Sequence, residues 1–124
     1  MVYREELPVA CPPETACDLA RNEAYRLLPS VPALIDHFES HAAKGKPMPP
    51  DMDPCRWASC SLCGDMEAVQ KKLKLKSLRR SITHVAKMKI AVGSGMLHIK
   101  GGHIDFWMYD TFDPISAIVR VTRV

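Results

Sequence analysis

No apolar run in this 124-residue chain approaches the roughly 20 residues that a membrane-spanning helix needs. The opening residues, Met1-Val2-Tyr3-Arg4-Glu5-Glu6, are charged and hold no apolar stretch of the kind a secretory leader carries, so no signal peptide is expected. Cysteine stops at Cys63 and glutamate at Glu67. The first absence removes the fourth thiolate that a plant-type iron–sulfur loop would require downstream. Five cysteines is an odd count, which argues against a closed disulfide framework and places the chain, as an expectation, in a reducing cytoplasm.

What is present describes one globular domain over residues 1–124. Apolar residues make up 47% and charged residues 25%, the balance of a chain that buries a core without staples. The net charge of +3 conceals an asymmetry. Residues 1–70 hold 6 Lys/Arg against 11 Asp/Glu, whereas residues 71–124 hold 11 against 3. Either the halves interleave and neutralise each other, the favoured reading, or one surface is basic enough to attract phosphate or an acidic partner.

Residues 1–12 read as an irregular arm broken by Pro8, Pro12 and Pro13. Residues 14–28 are ambiguous: Ala16, Leu19, Ala20, Ala24, Leu27 and Leu28 fit a helical stripe, and Tyr25-Arg26-Leu27-Leu28 before Pro29 fits a short strand; a helix followed by a strand satisfies both. Ser30 reads as an N-cap of a helix with Leu34, Ile35, Phe38 and Ala42 on its buried stripe and Gly45 at its end. Residues 45–55 form a Pro-rich loop. Trp57 to Leu62 suits a strand, and Asp65 caps a helix running to about Lys76. From Ile82 to Val92 the period is two, the pattern of a half-buried strand. Met96–Lys100, His103–Tyr109 and Ile115–Val121 follow as strands between glycine turns. The expected class is α+β: a mixed or antiparallel sheet with a C-terminal β-meander, and about three helices in the first two thirds.

Four constellations could carry chemistry. Cys55, Cys60 and Cys63 could bind zinc, with Cys60-Ser61-Leu62-Cys63-Gly64 shaped as a zinc knuckle, set against the favoured alternative that they are small buried thiols in a tight strand. His37 and His41 stand four residues apart, so on a helix they could chelate a metal or sit at its solvent edge. Lys71, Lys72, Lys74, Lys76, Arg79 and Arg80 could contact phosphates. Yet no aromatic interleaves them and no nucleic-acid module is recognisable, so a solvated helix face is the commoner arrangement and nucleic acid a disfavoured partner. His103, Asp105, Trp107 and Tyr109 share one strand face, which suits a small-molecule pocket, a protein interface or a cover for the sheet.

The layout of Tyr25-Arg26-Leu27-Leu28, Asp36-x-Phe38-x-Ser40, Ala58-Ser59-Cys60-Ser61-Leu62 and Gly102-His103-x-x-Phe106-Trp107 resembles an uncharacterised family of short bacterial proteins. More distantly, the order resembles small ADP-ribosyltransferase-like domains. That resemblance implies a toxin- or effector-like domain handling NAD or a nucleotide. Arg26 would hold a phosphate, Ser59 or Ser61 would support the nicotinamide ribose, and Trp107 or Tyr109 would stack on a base. The late-strand glutamate of such domains is absent, leaving His103 and Asp105 as the catalytic stand-ins. The competing expectation is a non-catalytic interaction protein using the His103–Tyr109 face or the basic run.

Overall fold

A computed structural model describes residues 1–124 as a single α+β domain. Its sheet has six strands, all antiparallel: β1 (Arg21–Leu28), β2 (Cys60–Cys63), β3 (His84–Ile90), β4 (Gly95–Lys100), β5 (His103–Met108) and β6 (Ile118–Arg123). Their order across the sheet is β4-β5-β2-β1-β3-β6. The later strands therefore lie as two pairs, β4–β5 and β3–β6, at opposite ends. Three short helices, α1 (Pro54–Trp57), α2 (Met66–Leu73) and α3 (Lys76–Ser81), all fall in the first two thirds. No helix is long and apolar enough to cross a membrane.

Strand alternation divides the apolar residues between two faces. One face carries the main core, with Ala24 and Leu28 of β1, Cys60 and Leu62 of β2, Ala86, Met88 and Ile90 of β3, Leu97 of β4, and Ile104, Phe106 and Met108 of β5. Phe38 and the segment around Phe112 and Ile115 close over it. The other face holds a smaller cluster of Tyr25, Cys63 and Val85 under Val69 of α2. Asp65 starts α2 by accepting the Ala68 N–H at 2.8 Å, as its sequence position predicts. Gly102 lets the β4–β5 turn approach that helix, since a Cβ there would stand 2.8 Å from the Ala68 methyl.

Several expectations are corrected. Residues 14–20 contain no helix. Ala24 and Leu28 are four apart, which satisfies a helical stripe and a strand face equally, and the strand wins because Tyr25 and Val85 pack on the opposite face. The helix expected from Ser30 to Gly45 is a single 3₁₀ turn, Ile35–Phe38. Leu34 and Ile35 stay exposed and only Phe38 enters the core. Ser40 ends that turn: its N–H and hydroxyl both donate to the Glu5 carboxylate, at 3.0 and 2.5 Å. The helix expected to run to Lys76 is two, broken at Lys74 and Leu75. The N-terminal arm is irregular but docked, through Arg4 N–H to the Met108 carbonyl and Asp110 N–H to the Val2 carbonyl, both 2.9 Å.

The cysteines also depart from expectation. Cys11 and Cys55 form a disulfide, so an odd total leaves one bridge and three thiols. A cross-link of this kind persists in oxidising rather than reducing compartments, which removes the argument for a reducing cytoplasm. It also takes Cys55 out of any metal-binding set. Cys60 and Cys63 lie on opposite faces of the sheet, one in each core cluster.

A cationic cleft and a buried carboxylate

Antiparallel pairing of β1 with β2 is confined to Tyr25 opposite Cys63. Beyond that point the strands part, and the Arg26 side chain fills the opening. Its Nη1 donates to the Ser61 carbonyl at 2.8 Å, Nε to the His37 carbonyl at 2.7 Å, and Nη2 to the Glu39 carbonyl at 3.4 Å. Three carbonyl dipoles orient this guanidinium, but no carboxylate neutralises it. Arg26 and Ser61, proposed together from the sequence, thus do share one site.

That site is a cleft of ≈ 310 Å³. Arg26, Ser61 and Cys63 line it from the sheet, and His37, His41, Lys44 and Lys46 from the loop after β1. Lys72 of α2, Leu78, Ser81 and Ile82 at α3, and Tyr25, Leu27 and Pro29 on and just after β1 also line it. Four Lys/Arg side chains converge there without an Asp or Glu among the lining residues, and none of the four takes part in an ion pair. The electrostatics follow. Burial and then the charges of Arg26 and Lys46 push the Lys44 ammonium below its ordinary value. His37 is lowered by burial, Lys44 and Arg26, and His41 by burial, Lys46, Arg26, Lys44 and Lys72. His37 Nδ1 accepts the Leu34 N–H at 3.1 Å, an acceptor role that only an unprotonated nitrogen can play. The two histidines therefore face the cleft, not a helix edge. His41 stacks on Trp57 with ring centroids 4.5 Å apart.

The remaining sequence-proposed residues gather elsewhere. Asp105 on β5 is 2% exposed. It accepts from His103 Nε2 at 2.9 Å and from the Ser59 hydroxyl at 3.3 Å, both on Oδ1. Arg56 Nε donates to Oδ2 at 3.2 Å, and His98 Nδ1 stands 3.8 Å from the same oxygen. Burial alone would raise this carboxyl, but the hydrogen bond and charge of His103, the charge of Arg56 and the Ser59 hydroxyl outweigh it and hold Asp105 below the usual carboxylate range. The same hydrogen bond fixes the orientation of the His103 ring against Asp105. Ser59 is buried and spends its proton within the cluster, so it is no longer placed beside Ser61 to support a ribose.

Trp107 and Tyr109 are buried as well. Trp107 lies under α1, its Nε1 donating to the Cys55 carbonyl at 3.0 Å. Tyr109 packs on Tyr3 of the arm and donates to Asp18 at 3.3 Å. Neither presents a ring face for a base. No group of three or more His, Cys, Asp or Glu is arranged to hold a metal ion. Comparison with known protein families, with curated proteins and with solved structures finds no match to this chain.

Sequence reasoning picked out Arg26 and the basic run, but it did not connect Lys44, Lys46, His37 and His41 with them. These residues come from segments with no periodicity, and only the parting of β1 from β2 brings them together. The signal available was charge: after Glu39 no acid occurs before Asp51, while Lys44 and Lys46 do.

Proposed function

We propose that this chain binds a small phosphate-bearing ligand of the nucleotide class in the cleft at the parting of β1 and β2. The observation that supports this is the convergence of Arg26, Lys44, Lys46 and Lys72 on one concavity that contains no carboxylate. A phosphate relieves the repulsion among these cations and takes charge-assisted hydrogen bonds from them. The remaining surface suits the organic part of such a ligand. Leu27, Leu78 and Ile82 are apolar walls, and His41, backed by Trp57, offers a flat ring to a base. NAD and ADP-ribose belong to this class, with Arg26 in the phosphate-holding role that the sequence resemblance implies. The disulfide favours an oxidising compartment over the cytoplasm for this activity.

Calorimetric titration with ADP, NAD, ADP-ribose and inorganic phosphate tests the reading. Binding is expected for at least one organic phosphate, tighter than for phosphate itself. Lys44→Gln with Lys72→Gln should weaken it at least tenfold without unfolding the chain, because neither lysine holds a partner in the fold. Absence of heat with all four compounds would defeat the proposal.

A further inference from the structure

Between Glu67 and Asp105 the chain holds nine Lys/Arg and no acid. Six of the nine lie in the ten residues from Lys71 to Arg80, on and around α2 and α3. Among these six the only ion pair is the exposed contact of Lys71 with Glu67 at 3.6 Å. The acidic and basic halves of the sequence do not neutralise each other in pairs either. Apart from that contact within α2, the one Lys/Arg ion pair joining them is Arg56 with Asp105. The halves do interleave in the sheet, with β2 and β1 lying between β5 and β3, but few of their charges meet in close pairs.

The placement of these cations matters more than their number. Lys72 lines the cleft, together with Leu78 and Ser81 of α3 and Ile82 just beyond it, so α2 and α3 form one wall. Lys74, Lys76, Arg79 and Arg80 are exposed and do not line it. A cleft of ≈ 310 Å³ is about the size of one nucleotide, too small for a duplex and for more than one residue of a strand. The charge inside it suits a terminal phosphomonoester, which carries up to two negative charges, better than an internal diester with one. The four outer cations are then surplus to any mononucleotide.

We infer that the cleft receives the phosphorylated end of a single-stranded nucleic acid, with Lys74, Lys76, Arg79 and Arg80 contacting the phosphates that follow. This rests on the reading of the cleft as a phosphate site and extends it from a nucleotide to a strand. The terminal base stacks on His41 and its phosphate sits among Arg26, Lys44 and Lys72. The next few phosphates pass over the outer side of the helical wall. Contacts of this kind are independent of sequence and strongly salt-dependent.

Fluorescence anisotropy with a short labelled oligonucleotide, carrying either a 5′-phosphate or a 5′-hydroxyl and labelled at its 3′ end, tests the inference. A 3′-phosphorylated oligonucleotide labelled at its 5′ end covers the opposite polarity, and AMP is titrated in parallel by calorimetry. A strand phosphorylated at one end should bind at least tenfold tighter than AMP and than the 5′-hydroxyl strand. Replacing Lys74, Lys76, Arg79 and Arg80 by Gln should bring the strand down to the affinity of AMP and leave AMP unchanged. It should also lower the slope of log K against log salt by about 2 to 3, at about 0.7 for each phosphate no longer neutralised.

If AMP binds but no strand binds more tightly, the strand inference fails while the nucleotide site stands. Equal binding of hydroxyl and phosphorylated strands overturns the terminal-phosphate placement, and equal binding of polyglutamate reduces the surface to unspecific charge. Strand binding without AMP binding, or with Lys44→Gln and Lys72→Gln inert, removes the cleft from the interaction. If neither AMP nor any strand binds while ADP, NAD or ADP-ribose does, the strand inference fails and the nucleotide site stands; if none of these binds, the reading of the cleft as a phosphate site falls and takes the inference with it.

Discussion

Asp105 is a carboxylate almost removed from water, and its charge persists because His103, Arg56 and Ser59 compensate it. Substituting Asn keeps the shape but strips the charge from the hydrogen bonds with His103, Ser59 and Arg56. Arg56 retains half its side-chain exposure, so much of its contribution is screened by solvent. The His103 and Ser59 bonds dominate, and Asp105→Asn should cost about 2 kcal/mol in urea unfolding. The sign of the pH dependence follows from the depressed carboxyl. Its stabilisation is complete above the ordinary value of 3.8 and is lost as pH falls from there through the lower folded value. The gap between wild type and Asp105→Asn should therefore close in that acid range, as measured by urea midpoints; a gap constant with pH would mean that the carboxylate is not the stabilising form. His41 responds in the opposite sense. Its proton is disfavoured by burial and by Lys46, Arg26, Lys44 and Lys72, and a phosphate among those cations reverses the field. The His41 ring resonance should titrate at higher pH in saturating phosphate than in chloride of equal ionic strength. An unchanged midpoint would place the phosphate elsewhere.

At the level of elements, the disulfide fastens the N-terminal arm to the first residues of α1, next to the Cys55 carbonyl that receives the Trp107 indole. The cysteines are separated by 44 positions, a loop for which chain entropy predicts about 4 kcal/mol at most. Cys11→Ser with Cys55→Ser should lose about 2–4 kcal/mol in chemical unfolding. It should also remove the sensitivity of wild type to dithiothreitol; equal sensitivity in the variant would mean that the bridge is not what the reductant breaks. This pairing was not legible in the chain, since it depends on the arm folding back along β5. The strands were more legible. β3 alternates because Ala86, Met88 and Ile90 enter the main core, and Lys87 and Lys89 do not. Asp65 announced α2 by its capping chemistry. The stretch from Ser30 to Gly45 misled because its apolar residues have helical spacing while its neighbours, Glu5 above all, compete for the backbone. For the site, Arg26 could be singled out, whereas the cleft around it requires the two strands to separate, which no local pattern encodes.

The molecule as a whole carries its positive charge unevenly, and that has a consequence for stability that does not depend on knowing the ligand. Arg26, Lys44, Lys46 and Lys72 repel one another within one cleft, and the outer cations of α2 and α3 add to the same field. Across a Debye length of about 10 Å at 0.1 M salt, this repulsion is only partly screened. Chloride should therefore raise the melting temperature smoothly as ionic strength increases, as plain screening does. Phosphate at matched ionic strength should raise it further, because a bound anion stabilises the folded chain by RT ln(1 + [L]/Kd), about 2.7 kcal/mol at a hundredfold excess over Kd. For a chain of this size 1 kcal/mol moves the midpoint by about 3–5 °C, so the increment is readily resolved. Lys44→Gln with Lys72→Gln should abolish the extra phosphate increment and at the same time stabilise the protein at low salt, since the variant no longer holds those like charges together. Identical melting curves in chloride and phosphate would reduce the cleft to a region of diffuse charge. A low-salt loss of stability in the double variant would mean that these lysines support the fold and were not held there against their own repulsion.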